Sequence, residues 1–213
     1  MMNIEQSIIE GCERLGVRLP TGASARLAVF LSLLERWNRA YNLTAVRDPQ
    51  AMVARHVLDS LSILPWLEGP QVLDVGSGAG LPGIPLAIAR PDYKFILLDS
   101  NGKRTRFMNQ ATAELGLKNA SVVRSRVSDY QPTILMNSIV SRAFATLAEM
   151  VANAGQLCAP EGRLLAMKGV FPDDELARLP PGYAVVGVYP LQVPDLNAER
   201  HLVHLTPTPA RQD

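Results

Sequence analysis

The segment Val72-Leu73-Asp74-Val75-Gly76-Ser77-Gly78-Ala79-Gly80-Leu81-Pro82-Gly83 decides how this chain folds. A short apolar run with one acidic residue enters a glycine-rich turn, and a helix-like segment follows at 83–90. Glycine permits positive φ and a close approach of the backbone to a ligand. The sequence therefore predicts the first strand, turn and helix of an open α/β sheet, in which ligands bind at the carboxyl ends of the strands.

Two properties of the turn bear on the identity of that ligand. The run from Gly78 to Gly83 satisfies G-x-G-x-x-G, a pattern that admits a nicotinamide dinucleotide. Asp74 stands two residues before Gly76, and we expect its carboxylate at the mouth of the turn, where it would repel a pyrophosphate. A carboxylate there suits an ammonium and a sulfonium group, which favours S-adenosylmethionine over NAD(P) and over a turn without a ligand. Asp99, after the second strand, is placed to bind the two hydroxyls of a ribose.

Length and composition narrow the class of protein. The 213 residues suit one α/β domain with a short appendage. No stretch approaches the roughly 20 apolar residues that span a bilayer, and the polar N-terminus is unlike a signal peptide. Two distant cysteines, Cys12 and Cys158, favour a reduced cytoplasmic protein over a disulfide scaffold. Because the formal net charge is +1, any nucleic-acid footprint must be local.

Hydrophobic periodicity divides the chain into three segments. Residues 1–66 predict a helical cap, with Thr21 or Ser24 beginning its second helix and Asp48-Pro49 its third. Residues 67–206 alternate between strands and helices, which predicts a parallel sheet, and 207–213 predict a loosely ordered tail. The predicted strands are 71–75, 94–98, 120–124, 135–141 and 162–168, followed by a closing hairpin of 183–190 and 200–206; the predicted helices are 83–90, 102–116, 145–157 and 173–179. Such a hairpin is typical of methyltransferase sheets.

Several motifs together carry a family resemblance. They are Trp37-Asn38-Arg39-Ala40-Tyr41-Asn42-Leu43-Thr44, Arg55-His56-Val57-Leu58-Asp59-Ser60, Asp74 to Pro85, Leu97-Leu98-Asp99-Ser100, Lys103-Arg104, Ser141-Arg142-Ala143, Lys168-Gly169 and Glu199-Arg200-His201-Leu202. In their order and spacing, the chain resembles the glucose-inhibited division protein B family from about residue 27 to residue 205. The resemblance implies the α/β fold of class I S-adenosylmethionine-dependent methyltransferases, with a mostly parallel seven-stranded sheet whose last strand is antiparallel.

The same resemblance implies a substrate and a reaction. Members of the family methylate N7 of a guanine in small-subunit (16S) ribosomal RNA, with S-adenosylmethionine as the cofactor. The implied partner is therefore this RNA, the ribosomal subunit or its precursor, and we expect a monomer. Two other functions compete with this interpretation: a nicotinamide-dependent oxidoreductase, and a ribosome-assembly factor that binds RNA and holds the cofactor as a structural ligand.

The residues expected at the cofactor come from the turn and from the resemblance. They are Asp74, Gly76, Ser77, Gly78, Gly80, Leu81, Asp99, Ser100, Asn101, Val127, Ser128 and Arg142. Relatives often have a glutamate where this chain has Ser128. Either backbone amides make the contact there, or Asp129 supplies the carboxylate.

The acceptor atom can be argued partly from what the sequence lacks. Methylation of C5 in a pyrimidine needs a cysteine nucleophile, but Cys12 and Cys158, the latter late in a predicted helix, are expected to face the core. Methylation of an exocyclic amine usually accompanies an Asn/Asp-Pro-Pro-aromatic turn, and Ser141-Arg142-Ala143-Phe144 stands in that place. Guanine N7 fits what remains, and it needs no general base. The only candidate catalytic residue is Arg142, which binds the cofactor or guanine O6, or instead forms an ion pair with Asp74 or Asp99.

Basic residues gather at the predicted carboxyl edge of the sheet and in the cap. The candidates for RNA binding are Arg55, His56, Arg124, Arg126, Lys168, Arg200 and His201. Lys103, Arg104 and Arg106 are interpreted mainly as a solvated face. His56 and Asp59 share a helical face, either as a pair beside the substrate or as a hydrogen-bonded pair that stabilises the cap. The three histidines have no metal-ligand spacing with the cysteines, so we expect no metal.

Overall fold

A seven-stranded sheet forms the centre of the computed structural model, which describes residues 3–142, 144 and 146–208. The strands are β1 (Gln71–Val75), β2 (Lys94–Asp99), β3 (Ala120–Arg124), β4 (Met136–Ser141), β5 (Cys158–Lys168), β6 (Tyr183–Pro190) and β7 (His201–Pro207). Their spatial order is β3-β2-β1-β4-β5-β7-β6. Neighbours among β1 to β5 are parallel, and β7 is antiparallel to both β5 and β6. The predicted sheet, with its reversed last strand, is therefore confirmed.

Helices cover the sheet and form the N-terminal cap. They are α1 (Ile4–Leu15), α2 (Ala23–Tyr41), α3 (Pro49–Met52), α4 (Asp59–Leu61), α5 (Gly83–Ala89), α6 (Gly102–Glu114), α7 (Leu147–Ala154) and α8 (Asp173–Leu176). A π-helical segment, Val53–Leu58, joins α3 to α4, and short 3₁₀ turns occur at Leu64–Trp66, Val127–Asp129 and Gly155–Leu157. In the part of the chain that is described, no helix combines the length and the apolar character that crossing a bilayer requires.

The starts of the cap helices match the predictions only in part. Asp48 Oδ2 accepts a hydrogen bond from the Ala51 amide at 2.8 Å, and Pro49 begins α3 as predicted. The prediction for α2 was wrong, because Gly22 precedes that helix with φ of 74° and without a side-chain cap. Ser24 Oγ donates instead to Glu5 Oε1 at 2.9 Å, so this hydroxyl links α2 to α1.

Both faces of the sheet are buried, as is typical of a parallel sheet between helices. On one face, side chains from the cap, α5 and α6 share a core with alternate residues of β1 and β2 such as Val72 and Phe95. The residues between them, including Leu73 and Leu98, pack with α7 and β7 on the other face. The cap is therefore joined to the sheet through one continuous core.

The region before β5 departs from the prediction. Helix α7 ends at Ala154, and β5 begins at Cys158, four residues earlier than predicted. Pro160 explains the difference, since proline excludes the preceding residues from a helix. Cys158 thus belongs to a strand and not to the end of a helix. Cys12 and Cys158 are free and buried as expected, and burial raises the pKa of each thiol to about 11.

The chain end was predicted as a loose tail at 207–213. Pro207 instead ends β7, and the Thr208 amide donates to the Gly182 carbonyl oxygen at 2.9 Å. Residues 209–213 lie outside the described residues.

The strand order reverses between β1 and β4, where β2 lies on one side of β1 and β5 lies beyond β4. At such a point the loops diverge on either side of the sheet and leave a crevice at the carboxyl ends of the strands. The residues that end these strands are Val75, Asp99, Ser141 and Lys168. The topology therefore indicates that the functional site lies at this edge of the sheet.

Replacing Gly83 by alanine tests the close contact between the turn and the sheet. The added Cβ would overlap the Leu97 side chain and lie 2.6 Å from Asp74 Oδ2. We expect the free energy of unfolding, measured with urea, to fall by about 1–3 kcal/mol, as for other overpacked cores. Gly169→Ala is the control, since nothing lies within 4 Å of its added Cβ. Equal losses in both variants would contradict the contact.

Candidate active site

The glycine turn after β1 is held by hydrogen bonds within the protein. The Gly76 and Ser77 amides donate to the Leu98 carbonyl oxygen at 2.8 and 3.1 Å, and the Gly78 amide donates to Asp99 Oδ2 at 2.9 Å. Gly76 and Gly78 have φ of 68° and 57°, a region that L side chains rarely adopt. The turn therefore needs glycine at these two positions, and it is fastened to the end of β2.

The Asp74 carboxylate lies beneath the turn, so its predicted place at the mouth was wrong. Asp74 points to the same face of β1 as Val72, toward α5, and its side chain is fully buried. Its Oδ2 accepts a hydrogen bond from the Gly83 amide at 2.8 Å, while Oδ1 has no partner among the described residues. Burial raises the pKa of Asp74 from 3.8 to about 7, although the hydrogen bond from Gly83 opposes this rise.

These contacts supply a different reason for disfavouring a dinucleotide. A pyrophosphate in such a turn accepts hydrogen bonds from backbone amides at the helix N-terminus. Here the amides at 76–78 already donate to Leu98 and Asp99, and the Gly83 amide donates to Asp74. The protein's own carboxylates therefore occupy the places that an anion would take.

Two adjoining cavities open at the carboxyl ends of the strands. The larger cavity, of about 500 Å³, is lined by Leu43, Thr44, His56, Gly76, Ser77, Gly78, Ala79, Leu81, Arg104, Arg142, Met167, Lys168, Gly169 and Arg200. The smaller cavity, of about 280 Å³, is lined by Val75, Gly76, Leu98, Asp99, Ser100, Arg104, Ser125, Arg126, Val127 and Phe144. Gly76 and Arg104 line both, so the two cavities meet at the glycine turn. Volumes of this size suit a small-molecule ligand.

Most of the residues predicted at the cofactor line these cavities. Gly76, Ser77, Gly78, Leu81 and Arg142 line the larger cavity, and Asp99, Ser100 and Val127 line the smaller one beside Gly76. Four do not line either. Asp74 is buried, and Gly80 faces the Ile84 side chain. Asn101 begins α6 by accepting hydrogen bonds from two backbone amides, and Ser128 Oγ donates to Asp129 Oδ1 at 2.8 Å.

The smaller cavity has the chemistry that a nucleoside requires. The Asp99 carboxylate, only 4% exposed, is oriented by two backbone amides at 2.8 and 2.9 Å. Oδ1 retains a further acceptor position, which suits a ribose hydroxyl, whereas Oδ2 also lies 3.5 Å from Arg104 Nη1. Val127 and Phe144 supply apolar surface beside it for a purine. The residues present therefore fit the adenosine part of S-adenosylmethionine.

A buried carboxylate joins two arginines at the wall of the larger cavity. Asp59, 2% exposed, accepts hydrogen bonds from Arg142 Nη1 through Oδ2 at 2.9 Å and from Arg200 Nε through Oδ1 at 3.0 Å. The ion pair predicted for Arg142 thus forms with Asp59, and the predicted partners Asp74 and Asp99 were wrong. Two guanidinium groups on one carboxylate leave a net positive charge at the cavity.

His56 lines the same cavity from the cap. Its Nε2 and Thr44 Oγ1 are 2.9 Å apart, and the Val46 amide donates to Thr44 Oγ1 at 3.1 Å. His56 is not hydrogen-bonded to Asp59, so the predicted local pair does not form. Burial lowers the pKa of His56 from 6.5 to about 4, which leaves the imidazole neutral near pH 7.

The predicted RNA-binding residues are distributed over several cavities and grooves. His56, Lys168 and Arg200 line the larger cavity, and Arg126 lines the smaller one. Lys168 is only 11% exposed, and its Nζ lies 2.8 Å from Glu175 Oε2, so it is not a free surface cation. Arg124 packs over Gly102, Arg55 lines a separate groove beside α1, and His201 contacts the Phe171 ring.

Comparison with known proteins identifies the family. A family model described as rRNA small subunit methyltransferase G matches residues 23–203. The chain belongs to the rRNA small subunit methyltransferase G family. Membership confirms the predicted family and the predicted enzyme class.

Curated relatives of the same name match nearly the whole chain. Ribosomal RNA small subunit methyltransferase G from Nitrosococcus oceani is 55% identical over 208 residues, which cover 97% of this chain and 97% of that protein. The protein of that name from Alkalilimnicola ehrlichii is 54% identical, covering 92% of this chain and 89% of its own length.

Solved structures with low sequence identity share the fold. A glycopeptide N-methyltransferase in complex with S-adenosylhomocysteine has a TM-score of 0.62 at 11% identity, covering 73% of this chain and 88% of its own. Magnesium protoporphyrin IX methyltransferase from Synechocystis, with bound S-adenosylmethionine, has a TM-score of 0.60 at 13% identity, covering 84% and 97%. This likeness confirms the predicted class I fold, and with the family it confirms S-adenosylmethionine as the cofactor.

Three features of the site in this family member were missed by the sequence reasoning. Arg104 was interpreted as part of a solvated face, yet it lines both cavities and its Nη1 lies 3.5 Å from Asp99 Oδ2. Asp59 was considered only as a partner of His56. Thr44 was not singled out, although it belongs to a motif that carries the resemblance. The position of Asp59 in another such motif was the one available signal for its role.

Asp74→Asn tests the buried carboxylate. Because the folded-state pKa of about 7 exceeds the ordinary 3.8, the unfolded chain releases its proton first as pH rises. The contribution of Asp74 to stability is therefore full below about pH 4 and lost as pH rises through about 7. We expect the asparagine variant to gain in free energy of unfolding relative to the original chain across this interval, measured by urea unfolding at several pH values. A difference that does not vary with pH would contradict the burial argument.

Proposed function

We propose that this chain transfers a methyl group from S-adenosylmethionine to N7 of a guanine in 16S ribosomal RNA. The family and the fold support the enzyme class. One observation carries the choice of acceptor atom: among the described residues, no carboxylate lines the larger cavity, whereas Arg142 and Arg200, both bound to Asp59, do.

Guanine N7 needs no proton removed before it attacks. It presents a lone pair in the plane of the base. The larger cavity offers no effective base among its described residues, since His56 has a pKa of about 4 and Lys168 is paired with Glu175. Asp59 lies behind the arginines with one arginine on each carboxylate oxygen. An acceptor that must lose a proton, such as an exocyclic amine, is therefore disfavoured.

We assign different parts of the cofactor to the larger and the smaller cavity. When bound, S-adenosylmethionine supplies a methyl group on a positively charged sulfur. We assign its ribose to Asp99 and its adenine to Ser100 and Val127 in the smaller cavity. The amino-acid end belongs to the larger cavity, along 76–78 and Leu81. Asp74 and Gly80 maintain the turn, and Asn101 orients Asp99 through its backbone amide. The Ser128 side chain is engaged with Asp129.

The arginines of the larger cavity face the proposed site of the acceptor. Among the described residues, Arg142 uses only Nη1 for Asp59, so its other donors remain for guanine O6 or a phosphate. Arg200 likewise has Nη2 without a described acceptor. We interpret these two residues, with exposed Arg126 at the smaller cavity, as contacts that position the RNA. We further propose that the protein acts in the cytoplasm as a monomer.

Labelled methyl transfer tests the proposed reaction. The substrates are small-subunit RNA and whole subunits from cells that lack the enzyme, incubated with methyl-labelled S-adenosylmethionine. We expect the label in 7-methylguanosine at one position, identified by mass mapping of RNA fragments. Label on an exocyclic amine or on a pyrimidine would overturn the choice of N7. Tight RNA binding without transfer would favour the assembly-factor alternative.

Arg142→Ala tests whether this residue contacts the substrate. We expect kcat/KM for RNA to fall by about 10²-fold, because the variant loses a charged contact and leaves one oxygen of buried Asp59 unpaired. Arg142→Lys, which keeps the charge but loses the planar fork, should recover only part of the loss. Full methylation with unchanged cofactor affinity in the alanine variant would count decisively against the role.

Arg200 and Lys168 should differ in their contribution to RNA affinity. Arg200→Ala should weaken binding and reduce the slope of log K against log salt by about 1, as expected for one lost phosphate contact. Lys168→Met should leave the slope unchanged, because the ammonium is bound to Glu175 and is not placed to contact a phosphate. The measurement is fluorescence anisotropy of labelled RNA between 50 and 200 mM salt, about the range over which such slopes are resolved. A lower slope in Lys168→Met alone would reverse this assignment.

A further inference from the structure

Two apolar side chains are exposed at the carboxyl edge of the sheet, directly after β5. Val170 and Phe171 are 69% and 45% exposed, and they follow Gly169, which lines the larger cavity. Large apolar side chains exposed beside a binding site often mark a contact surface. The loop that carries them therefore offers an apolar contact surface beside the larger cavity.

The Phe171 ring is held in place by β7. Its centroid lies 5.5 Å from that of the His201 ring, with an angle of 85° between the two planes. His201 pairs with Lys168 across the β5–β7 ladder, so this edge-to-face contact rests on the sheet. A supported and partly exposed aromatic ring has the properties of a stacking platform.

A third cavity, of about 550 Å³, lies beside the Phe171 ring and is separate from the two cavities described above. Leu191 and Val193, both nearly buried, give it an apolar wall, and Phe171 and His201 also line it. Arg200 lines this cavity and also the 500 Å³ cavity at the glycine turn, so the two cavities are neighbours at its side chain. The third cavity combines an aromatic ring and an apolar wall with polar groups from Gln192, Glu199 and His201. Such a lining suits a nucleobase, which has a flat face and a polar edge.

We propose that this cavity binds the base of an unpaired nucleotide next to the target guanine, stacked on Phe171. The inference rests on the proposed function, which brings RNA to the larger cavity. Glu199 also lines this cavity beside Phe171. Its carboxylate disfavours a phosphate there but not an uncharged base. Arg200, between the two cavities, is placed to hold the phosphate that links the two nucleotides.

RNA is a better occupant than a protein surface because of the charge at this edge. Arg104, Arg142 and Arg200 all line the larger cavity, and no carboxylate among the described residues does. A polyanion bound there would reach the cavity beside Phe171 past Arg200, which lines both cavities. Stacking on an aromatic ring is tolerant of base identity, so the site adds affinity and orientation and not sequence choice.

A fluorescent RNA tests the platform directly. The probe is a hexanucleotide that contains one guanine flanked on either side, in separate versions, by 2-aminopurine, whose fluorescence is quenched by stacking. We expect quenching on binding in one version, retained in Phe171→Trp and lost in Phe171→Leu, which keeps an apolar side chain without a ring. For methylation of small-subunit RNA, Phe171→Leu should raise KM about tenfold, as one lost stacking contact implies, with kcat and cofactor affinity nearly unchanged.

Controls distinguish stacking on Phe171 from an effect on methyl transfer. Ile134→Ala removes an exposed apolar side chain just before β4, at the opposite edge of the sheet, and should alter neither quenching nor KM. Quenching does not require methyl transfer, so it tests the platform even if N7 is not the acceptor. Unchanged quenching and KM in Phe171→Leu would overturn the proposal. A change in oligomeric state of this variant, with RNA binding intact, would overturn it in favour of contact between copies.

Discussion

The hydrogen bond from the Gly83 amide to Asp74 Oδ2 is the interaction on which the site depends. It joins the end of β1 to the start of α5 across the whole glycine turn, and it lies in a place without solvent. A buried carboxylate is costly unless it is hydrogen-bonded, and here only one of its two oxygens has a described partner. The turn is therefore held by a carboxylate whose burial is energetically unfavourable. A bound cation nearby would offset part of that cost.

The positions of the Asp74 and Asp99 carboxylates also affect which ligand the turn can bind. In a dinucleotide site, amides of the turn and of the helix N-terminus are free to receive phosphate oxygens. In this chain the Gly78 and Gly83 amides donate to the carboxylates of Asp99 and Asp74, and the two amides before Gly78 donate to the Leu98 carbonyl oxygen. The amides at 76–78 and of Gly83 are used internally, and two acidic residues lie beneath and beside the cleft. This arrangement disfavours a diphosphate, although the glycine spacing satisfies the dinucleotide pattern.

The fold was predictable to the extent that local patterns determine it. Strand positions, the reversed β7 and the glycine turn follow from alternation, periodicity and the demand for positive φ. The direction of the Asp74 carboxylate also follows from alternation, since it shares a face with Val72, but its predicted place at the mouth rested on distance from the glycines alone. The partners of Arg142 and Lys168 could not be found in this way. Asp59 is 83 residues from Arg142, and Glu175 lies beyond a loop, so only the packed structure brings the charges together.

The pairing of Asp59 with two arginines connects the architecture of the cap to the chemistry of the edge. Asp59 begins α4 immediately after the π-helical segment, whereas Arg142 follows β4 and Arg200 precedes β7. A displaced cap would thus leave two guanidinium groups and a carboxylate unpaired, a strongly unfavourable arrangement. The carboxylate matters for the product as well. In the proposed reaction, methylation at N7 leaves the guanine with a positive charge, and two unpaired arginines beside it would repel it. With Asp59 behind them, the pair presents about one positive charge in place of two, which keeps the contacts to RNA and lessens the repulsion.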